Sequence, residues 1–175
     1  MRAFTFALVV LICWLLIVWR RQRRANKRDE WDIREATFLY QTRGLGANPC
    51  YLEATGTTQP KGPYSPFSKF LTPPAPVGIA LPDEFMKRLA EKGRNFRRSS
   101  ECEATALGVV DKKTGQPGGY IFTVSDIFWI SPTDVEVSGG LSVGKTAGTS
   151  KTYYLKKAAG KWEIVGEHLK SIASG

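Results

Sequence analysis

The stretch GGLSVGKT, residues 139–146, has the spacing of a phosphate-binding P-loop. In such a loop, backbone N–H groups at a helix N-terminus hold the phosphates; Lys145 would neutralise them and Thr146 would bind magnesium. The residues that follow, AGTSKTYYLKK, are typical of a strand rather than a helix. In addition, the 29 residues after Thr146 are too few for the remaining strands of a nucleotide-binding α/β domain. The sequence therefore favours a glycine-rich hairpin.

Cysteine and histidine offer little further chemistry. Cys13, Cys50 and Cys102 have no metal-binding spacing, and Cys50 could pair with Cys102 only in an oxidising compartment. A single histidine, His168, excludes a histidine-rich metal site and gives no clear Ser/His/Asp set. We therefore predict no catalytic, cofactor-binding or metal residue, and no cofactor.

An uncharged apolar run at residues 3–19 is followed by the basic block RRQRRANKR at residues 20–28. As a helix, the run spans roughly 25 Å, which is near the lower limit for crossing a hydrocarbon core of roughly 30 Å. Snorkelling arginines and an interfacial Trp19 would make up the difference. The sequence predicts a transmembrane anchor at residues 1–28, in a single-pass protein of the cell (inner) membrane.

The basic block also predicts how the anchor is oriented. Positively charged residues stay on the cytoplasmic side, so the domain is expected to face the cytoplasm. Residues 1–28 would also contact membrane lipid, since basic residues attract anionic headgroups. A cleavable signal peptide is the alternative: Met1 and Arg2 provide a basic start, but no A-x-A cleavage pattern follows the apolar run.

The net charge of +9 is concentrated in this N-terminal segment. Residues 1–28 contain seven of the 25 lysines and arginines and no acidic residue, so residues 29–175 carry 18 basic and 16 acidic side chains. Because the rest of the chain is nearly neutral, the basic excess does not indicate a nucleic-acid surface. We expect no nucleic-acid partner.

Residues 29–175 are predicted to form one domain. An acidic start and an apolar stripe predict a helix at about 29–41. A second helix begins after Pro82 and ends at Gly93. Between the two, residues 56–82 contain seven of the ten prolines and are predicted to form a loop within the domain.

From residue 101 onward the apolar residues recur with a period of two, which predicts strands. Turn residues divide this half into an antiparallel meander, preceded by a shorter strand at 48–55. The predicted strands are 101–110, 120–130, 135–143, 152–157 and 161–165. The apolar face of this meander is expected to consist mainly of Ile121, Val124, Ile127, Trp129, Val135, Val137, Tyr154, Leu155, Trp162 and Ile164.

Four stretches resemble a family of uncharacterised bacterial proteins: REATFLY (34–40), GVVDKKTG (108–115), IFWISPTDVEVSGG (127–140) and TYYLKKAAGKWEIV (152–165). Those proteins look like NTF2-like, cone-shaped α+β domains that often follow an N-terminal signal or anchor. The resemblance covers roughly residue 29 to the end, and it implies an α+β fold in which helices pack on a curved antiparallel sheet. Because the shared residues lie in turns and the core, it implies a fold more than an activity.

NTF2-like domains include isomerases and dehydratases that work in the mouth of the cone. Such an enzyme needs a carboxylate of raised pKa in an apolar pocket, opposite a hydrogen-bond donor for the oxyanion. The resemblance makes Asp126 the candidate base and Tyr40 or Tyr153 the candidate donor. An outward-facing strand residue is the simpler interpretation of Asp126, and His168 is most simply a surface residue.

The sequence thus predicts a non-enzymatic, single-pass membrane protein with an NTF2-like domain. That domain would bind a protein partner or a small apolar ligand in its cone. An NTF2-like isomerase or lyase that uses Asp126 is the alternative. Nucleotide binding through residues 139–146 is the third hypothesis.

Overall fold

The structure is a computed structural model that describes residues 28–46, 48–56 and 77–173. Within these residues, strands account for 54% and helices for 20%, and two α-helices accompany nine strands. The predicted α+β class is therefore wrong, because the described chain is mainly β-structure.

Helix α1 covers residues 28–41, and helix α2 covers Asp83–Ala90. One turn of 3₁₀-helix lies at Ser99–Glu101. The strands are β1 Cys50–Gly56, β2 Val77–Ile79, β3 Phe96–Arg98, β4 Cys102–Thr105, β5 Gly108–Asp111, β6 Tyr120–Ser131, β7 Asp134–Ser142, β8 Gly148–Ala158 and β9 Lys161–Ala173.

Seven strands form one mixed sheet in the order β2-β1-β6-β7-β8-β9, and β3 also pairs with β1. Strands β6 to β9 form the antiparallel meander that was predicted. The prediction missed the other end of this sheet, where β1 runs parallel to both β6 and β3. It also missed a separate two-stranded hairpin of β4 and β5. Longer β8 and β9 account for most of the additional β-structure, and β2 and β3 add three residues each.

The two helices cover one face of the sheet, which we call the inner face. Ile33 and Phe38 of α1 and Phe85 and Leu89 of α2 are buried. They share one core cluster with strand residues Phe122, Val124, Val135, Val137 and Leu155. Burial of each large side chain contributes about 1.5–3 kcal/mol. Helical side chains therefore cover the inner face at these strand residues.

Two residues expected on this apolar face lie elsewhere. Tyr154 is directed to the opposite face, which we call the outer face, because its neighbour Leu155 is directed inward and adjacent strand residues alternate. Ile121 packs instead against a small second core of Tyr51, Cys102 and Val109. The core assignment was thus wrong where a strand presents apolar residues to both faces.

No helix in residues 28–46, 48–56 and 77–173 is long and apolar enough to cross a membrane. This finding contradicts the predictions of a transmembrane helix and of single-pass localisation in the cell membrane.

Two sequence predictions fall mostly outside the described residues. The anchor, its lipid contact and its orientation were predicted from residues 1–28, of which the structure describes Arg28 alone. The predicted loop at 56–82 includes residues 57–76, which also lie outside. Of the described residues near its end, Val77–Ile79 form β2.

Candidate functional site

Two large apolar side chains, those of Phe128 and Tyr154, lie on the outer face of the sheet, and a third, Ile130, is a bulge residue next to them on β6. On β6, Trp129 packs against the core, whereas Phe128 and Ile130 are 49% and 63% exposed. Phe128 is in register with Glu136 on β7, and Glu136 with Tyr154 on β8. Tyr154 is 37% exposed. We call Phe128, Ile130 and Tyr154 the outer apolar patch.

Strand β9 is the last strand of the sheet, and its one partner among the described strands is β8. Val165, Leu169 and Ile172 on this strand are exposed. Two register shifts against β8 leave Val165 and Lys170 as bulge residues. The sheet therefore has a 13-residue edge strand that carries exposed apolar side chains.

A two-residue turn sets the position of β9 on β8. Ala159 and Gly160 both have positive φ, at 48° and 78°. Two left-handed residues in succession are typical of a type I′ turn, whose twist matches that of the flanking strands. Alternation along KWEI then directs Trp162 and Ile164 to the core and leaves Lys161 and Glu163 exposed.

The stretch at residues 139–146 belongs to a β-hairpin. The backbone N–H of Val143 donates to the carbonyl of Ala147 at 3.0 Å, between the end of β7 and the start of β8. The N–H of Lys145 donates to the carbonyl of Thr105 at 2.9 Å, so the hairpin tip contacts β4. In the part of the chain that the structure describes, no helix follows Lys145, and the phosphate cradle of a P-loop is not formed.

Asp126 lies in a β-bulge of β6, next to buried Arg34 of α1. The Nη1 of Arg34 donates to the carbonyl of Val124 at 2.7 Å. Burial lowers the pKa of Arg34, while the negative charges of Glu30 and Asp126 oppose that shift. The structure therefore places the candidate base beside a cation that links helix and sheet.

The two candidate oxyanion donors do lie together. The rings of Tyr40 and Tyr153 are 6.0 Å apart and nearly perpendicular. The Nε2 of Gln41 donates to the Tyr153 hydroxyl at 3.3 Å and to the carbonyl of Thr123 at 3.2 Å. Burial raises the pKa of Tyr153. These residues join α1 to the sheet, whereas His168 is exposed on β9.

A polar cluster that the sequence did not reveal surrounds the buried carboxylate of Asp111. Its Oδ2 accepts a hydrogen bond from the Tyr51 hydroxyl at 3.0 Å and forms an ion pair with Arg97. Its Oδ1 accepts from the backbone N–H groups of Lys113 at 2.9 Å and Thr114 at 2.8 Å.

These contacts explain two shifted pKa values. Backbone hydrogen bonding, that of Thr114 first, lowers the pKa of Asp111 to about 2. Burial, followed by the hydrogen bond to Asp111, raises the pKa of Tyr51 to about 12. The cluster links β1, β3 and the turn after β5, which is a structural role. The turn signal DKKTG was visible in the sequence, but its partners Tyr51 and Arg97 are too distant along the chain to be inferred.

The described surface contains two open depressions of about 250 and 300 Å³. Hydroxyl-bearing and glycine residues of β6, β7 and β8 line most of the first, and the second lies between β1, β2 and the 3₁₀ turn. Asp126 lines neither depression. Among the described residues, no group of three or more His, Cys, Asp and Glu side chains is arranged to hold a metal ion.

Comparisons with known proteins find no family model, no curated protein and no solved structure that matches this chain. The resemblance to NTF2-like domains therefore stays a prediction.

Proposed function

We propose that this chain is a non-enzymatic protein-interaction domain that binds a protein partner on the outer apolar patch. The observation that carries the proposal is the exposure of Phe128 and Tyr154 on one face of the sheet, with Ile130 exposed in the bulge beside Phe128. Contiguous exposed apolar residues with a polar rim are typical of interaction sites. Aromatic residues are also enriched at interfaces, where they supply large contact areas.

The surroundings of the patch indicate the chemistry of that partner. Glu136 lies between Phe128 and Tyr154, and Lys156 pairs in register with Asp134 on one side and Glu163 on the other. Charges of both signs therefore lie between and beside the exposed apolar side chains. We expect a partner surface that combines apolar side chains with both signs of charge, rather than a polyanion.

Contacts elsewhere in the domain weaken two other hypotheses, which are a small apolar ligand in the cone and an isomerase or lyase that uses Asp126. Side chains of α1 and α2 fill the inner face where a small apolar ligand would bind in a cone. Asp126 neighbours the guanidinium of Arg34, whereas a general base for an isomerase requires an apolar pocket. A protein partner on the outer face needs neither an enclosed cavity nor a free base.

The test is affinity purification of the full chain from cells that naturally produce it, with quantification of co-purifying proteins. The double variant Phe128→Ser/Tyr154→Ser removes the aromatic part of the patch. Val77→Ser is the matched control, because Val77 is equally exposed but lies on β2 at the other end of the sheet. Loss of two contact residues should weaken binding at least about tenfold, which corresponds to about 1.4 kcal/mol.

We expect one protein to co-purify with the wild-type chain and with Val77→Ser, and to be strongly depleted with the double variant. Thermal unfolding of all three proteins verifies that the variants are folded. Full retention of that protein by the double variant would contradict the proposal, as would the absence of any co-purifying protein.

A further inference from the structure

We propose that β9 pairs antiparallel with β9 of a second copy of this chain, about a two-fold axis at His168. This interaction uses the edge of the sheet and does not depend on the partner of the outer apolar patch. The edge strand is 13 residues long, and its side away from β8 is open among the described residues. An open edge offers a row of backbone donors and acceptors to another strand.

Charged side chains commonly protect such an edge, but two of those on β9 are held back over the sheet. The Nζ of Lys170 donates to Ser138 Oγ on β7 at 2.9 Å. Glu167 Oε1 accepts from Lys151 Nζ on β8 at 2.7 Å. Because the Lys170 ammonium group is bonded to β7 and the Glu167 carboxylate to β8, neither charge projects beyond the edge to repel an incoming strand.

The two-fold axis at His168 places residues from the same face of β9 opposite each other in the two copies. Ile164 and Ile172 are in register with Leu155 and Thr149 on β8, which are six residues apart and therefore on the same, inner face. An axis at His168 places Ile164 of one copy opposite Ile172 of the other. Directly opposite residues of an antiparallel pair share a face, so the exposed Ile172 of one copy would pack there against the half-buried Ile164 of the other.

The bulges and charges of β9 favour an axis at His168 over one at Glu167 or Leu169. An axis at Glu167 would set two carboxylates directly opposite each other, which is destabilising. An axis at Leu169 would set the inner residue Ile172 opposite Gly166, which lies on the outer face beside Tyr154. With the axis at His168, the bulge residue Lys170 is opposite Gly166, which has no side chain to obstruct it.

The first test is a cysteine scan along β9 in the full chain. In His168→Cys, the two new thiols would lie opposite each other, with Cβ atoms about 4.5–5.5 Å apart, close to disulfide range. Glu163→Cys is the matched control on the same face. Residue 163 of one copy would lie opposite residue 173 of the other, so the two new thiols would be ten residues, or roughly 33 Å, apart. Mild oxidation should give a 168–168 linked dimer at least tenfold faster than a 163–163 dimer, as measured on non-reducing gels and by peptide mass spectrometry. Equal rates would overturn the proposal, and so would a 168 variant that remains uncrosslinked.

The second test is sedimentation of the uncrosslinked proteins. The wild-type chain should form a dimer, and His168→Asp, which sets two carboxylates on the axis, should weaken the dimer at least tenfold. Circular dichroism verifies that the exposed substitution leaves the fold intact. Phe128→Ser/Tyr154→Ser should keep the dimer, so failure of the outer patch and failure of β9 pairing give different results. A monomeric wild-type chain, or a dimer that His168→Asp does not affect, would contradict β9 pairing.

Discussion

Asp111 is the residue on which several separate elements of the fold converge. Its carboxylate accepts hydrogen bonds from Tyr51 of β1 and from the turn backbone at Lys113 and Thr114, and it pairs with Arg97 of β3. A carboxylate held by several donors is stabilised in its charged form. Protonation of this one group should therefore loosen the attachment of the β4–β5 hairpin to the sheet.

We expect Asp111 to contribute to acid sensitivity between about pH 4 and pH 2. Its pKa in the folded chain is about 2, below the ordinary unfolded value of about 3.9. The stabilisation is therefore complete above the unfolded pKa and is lost as the pH falls through the folded pKa. In thermal unfolding over this pH range, Asp111→Asn should show a shallower decline than the wild-type chain, with Tyr51→Phe between them. An unchanged decline in Asp111→Asn would contradict this role.

Arg34 has a similar linking role between α1 and the sheet. It is 5% exposed, donates to the carbonyl of Val124 and lies near the negative charges of Glu30 and Asp126. Arg34→Met would leave buried acceptors and negative charge without their cation, which costs about 3–5 kcal/mol. Arg34→Lys should cost less, because it keeps the charge but loses the guanidinium geometry. Chemical denaturation measures the free energy of unfolding of both variants. A loss below about 1 kcal/mol for Arg34→Met would show that stability does not depend on this link between α1 and the sheet.

At the scale of elements, the C-terminal meander was predictable because alternation and turn residues delimit each strand. The single strand predicted at 101–110 is instead the β4–β5 hairpin, whose turn at Ala106 and Leu107 lacks the usual glycine or proline. The Thr105 hydroxyl supports that turn by donating to the Gly108 carbonyl and accepting from the Leu107 N–H. This local side-chain bond replaces the missing turn signal.

Two other differences depend on neighbouring strands rather than on local sequence. The strand predicted at 161–165 continues to Ala173, since β8 offers a ladder partner along the whole length despite Gly166. The parallel pairing of β1 with β6 joins segments about 70 residues apart, and no periodic pattern records it. The location and pairing of the meander strands were therefore predictable, but the distant partners of β1 and the C-terminal end of β9 were not.

Gly144 is expected to govern the contact between the β7–β8 hairpin and the β4–β5 hairpin. A Cβ at this position would lie 2.9 Å from the Thr105 carbonyl oxygen, which is backbone and cannot rotate away. Gly144→Val should lower the free energy of unfolding by about 1–3 kcal/mol. It should also speed hydrogen exchange at the Lys145 amide, which donates to Thr105.

Gly46→Val is the matched control, because no atom of the described residues lies within 4 Å of a Cβ built at that position. It should leave both the free energy of unfolding and the Lys145 exchange rate close to wild type. If Gly144→Val behaved like this control, the close approach of the two hairpins would not contribute to stability.

At the scale of the whole molecule, the candidate interaction surface was hidden in the sequence because it depends on strand register. Trp129 was correctly assigned to the core, although the bulge between Val124 and Ile127 breaks the simple alternation of β6. Tyr154 was assigned to the wrong face, since Tyr153 and Leu155 are also apolar and the pattern did not show which residues of the run face inward. Only the pairing of β6, β7 and β8 brings Phe128 and Tyr154 onto one surface.

The most direct test of the proposed interaction surface is site-specific photo-crosslinking in cells that naturally produce the chain. A photoreactive phenylalanine analogue would replace Phe128 or Tyr154 in separate full-length chains, and Val77 in the control chain. Phe128 and Val77 are 49% and 50% exposed, so accessibility alone would give equal labelling. We expect a covalent adduct with one defined protein at positions 128 and 154 and not at 77. Equal adducts at all three positions, or none at 128 and 154, would contradict it.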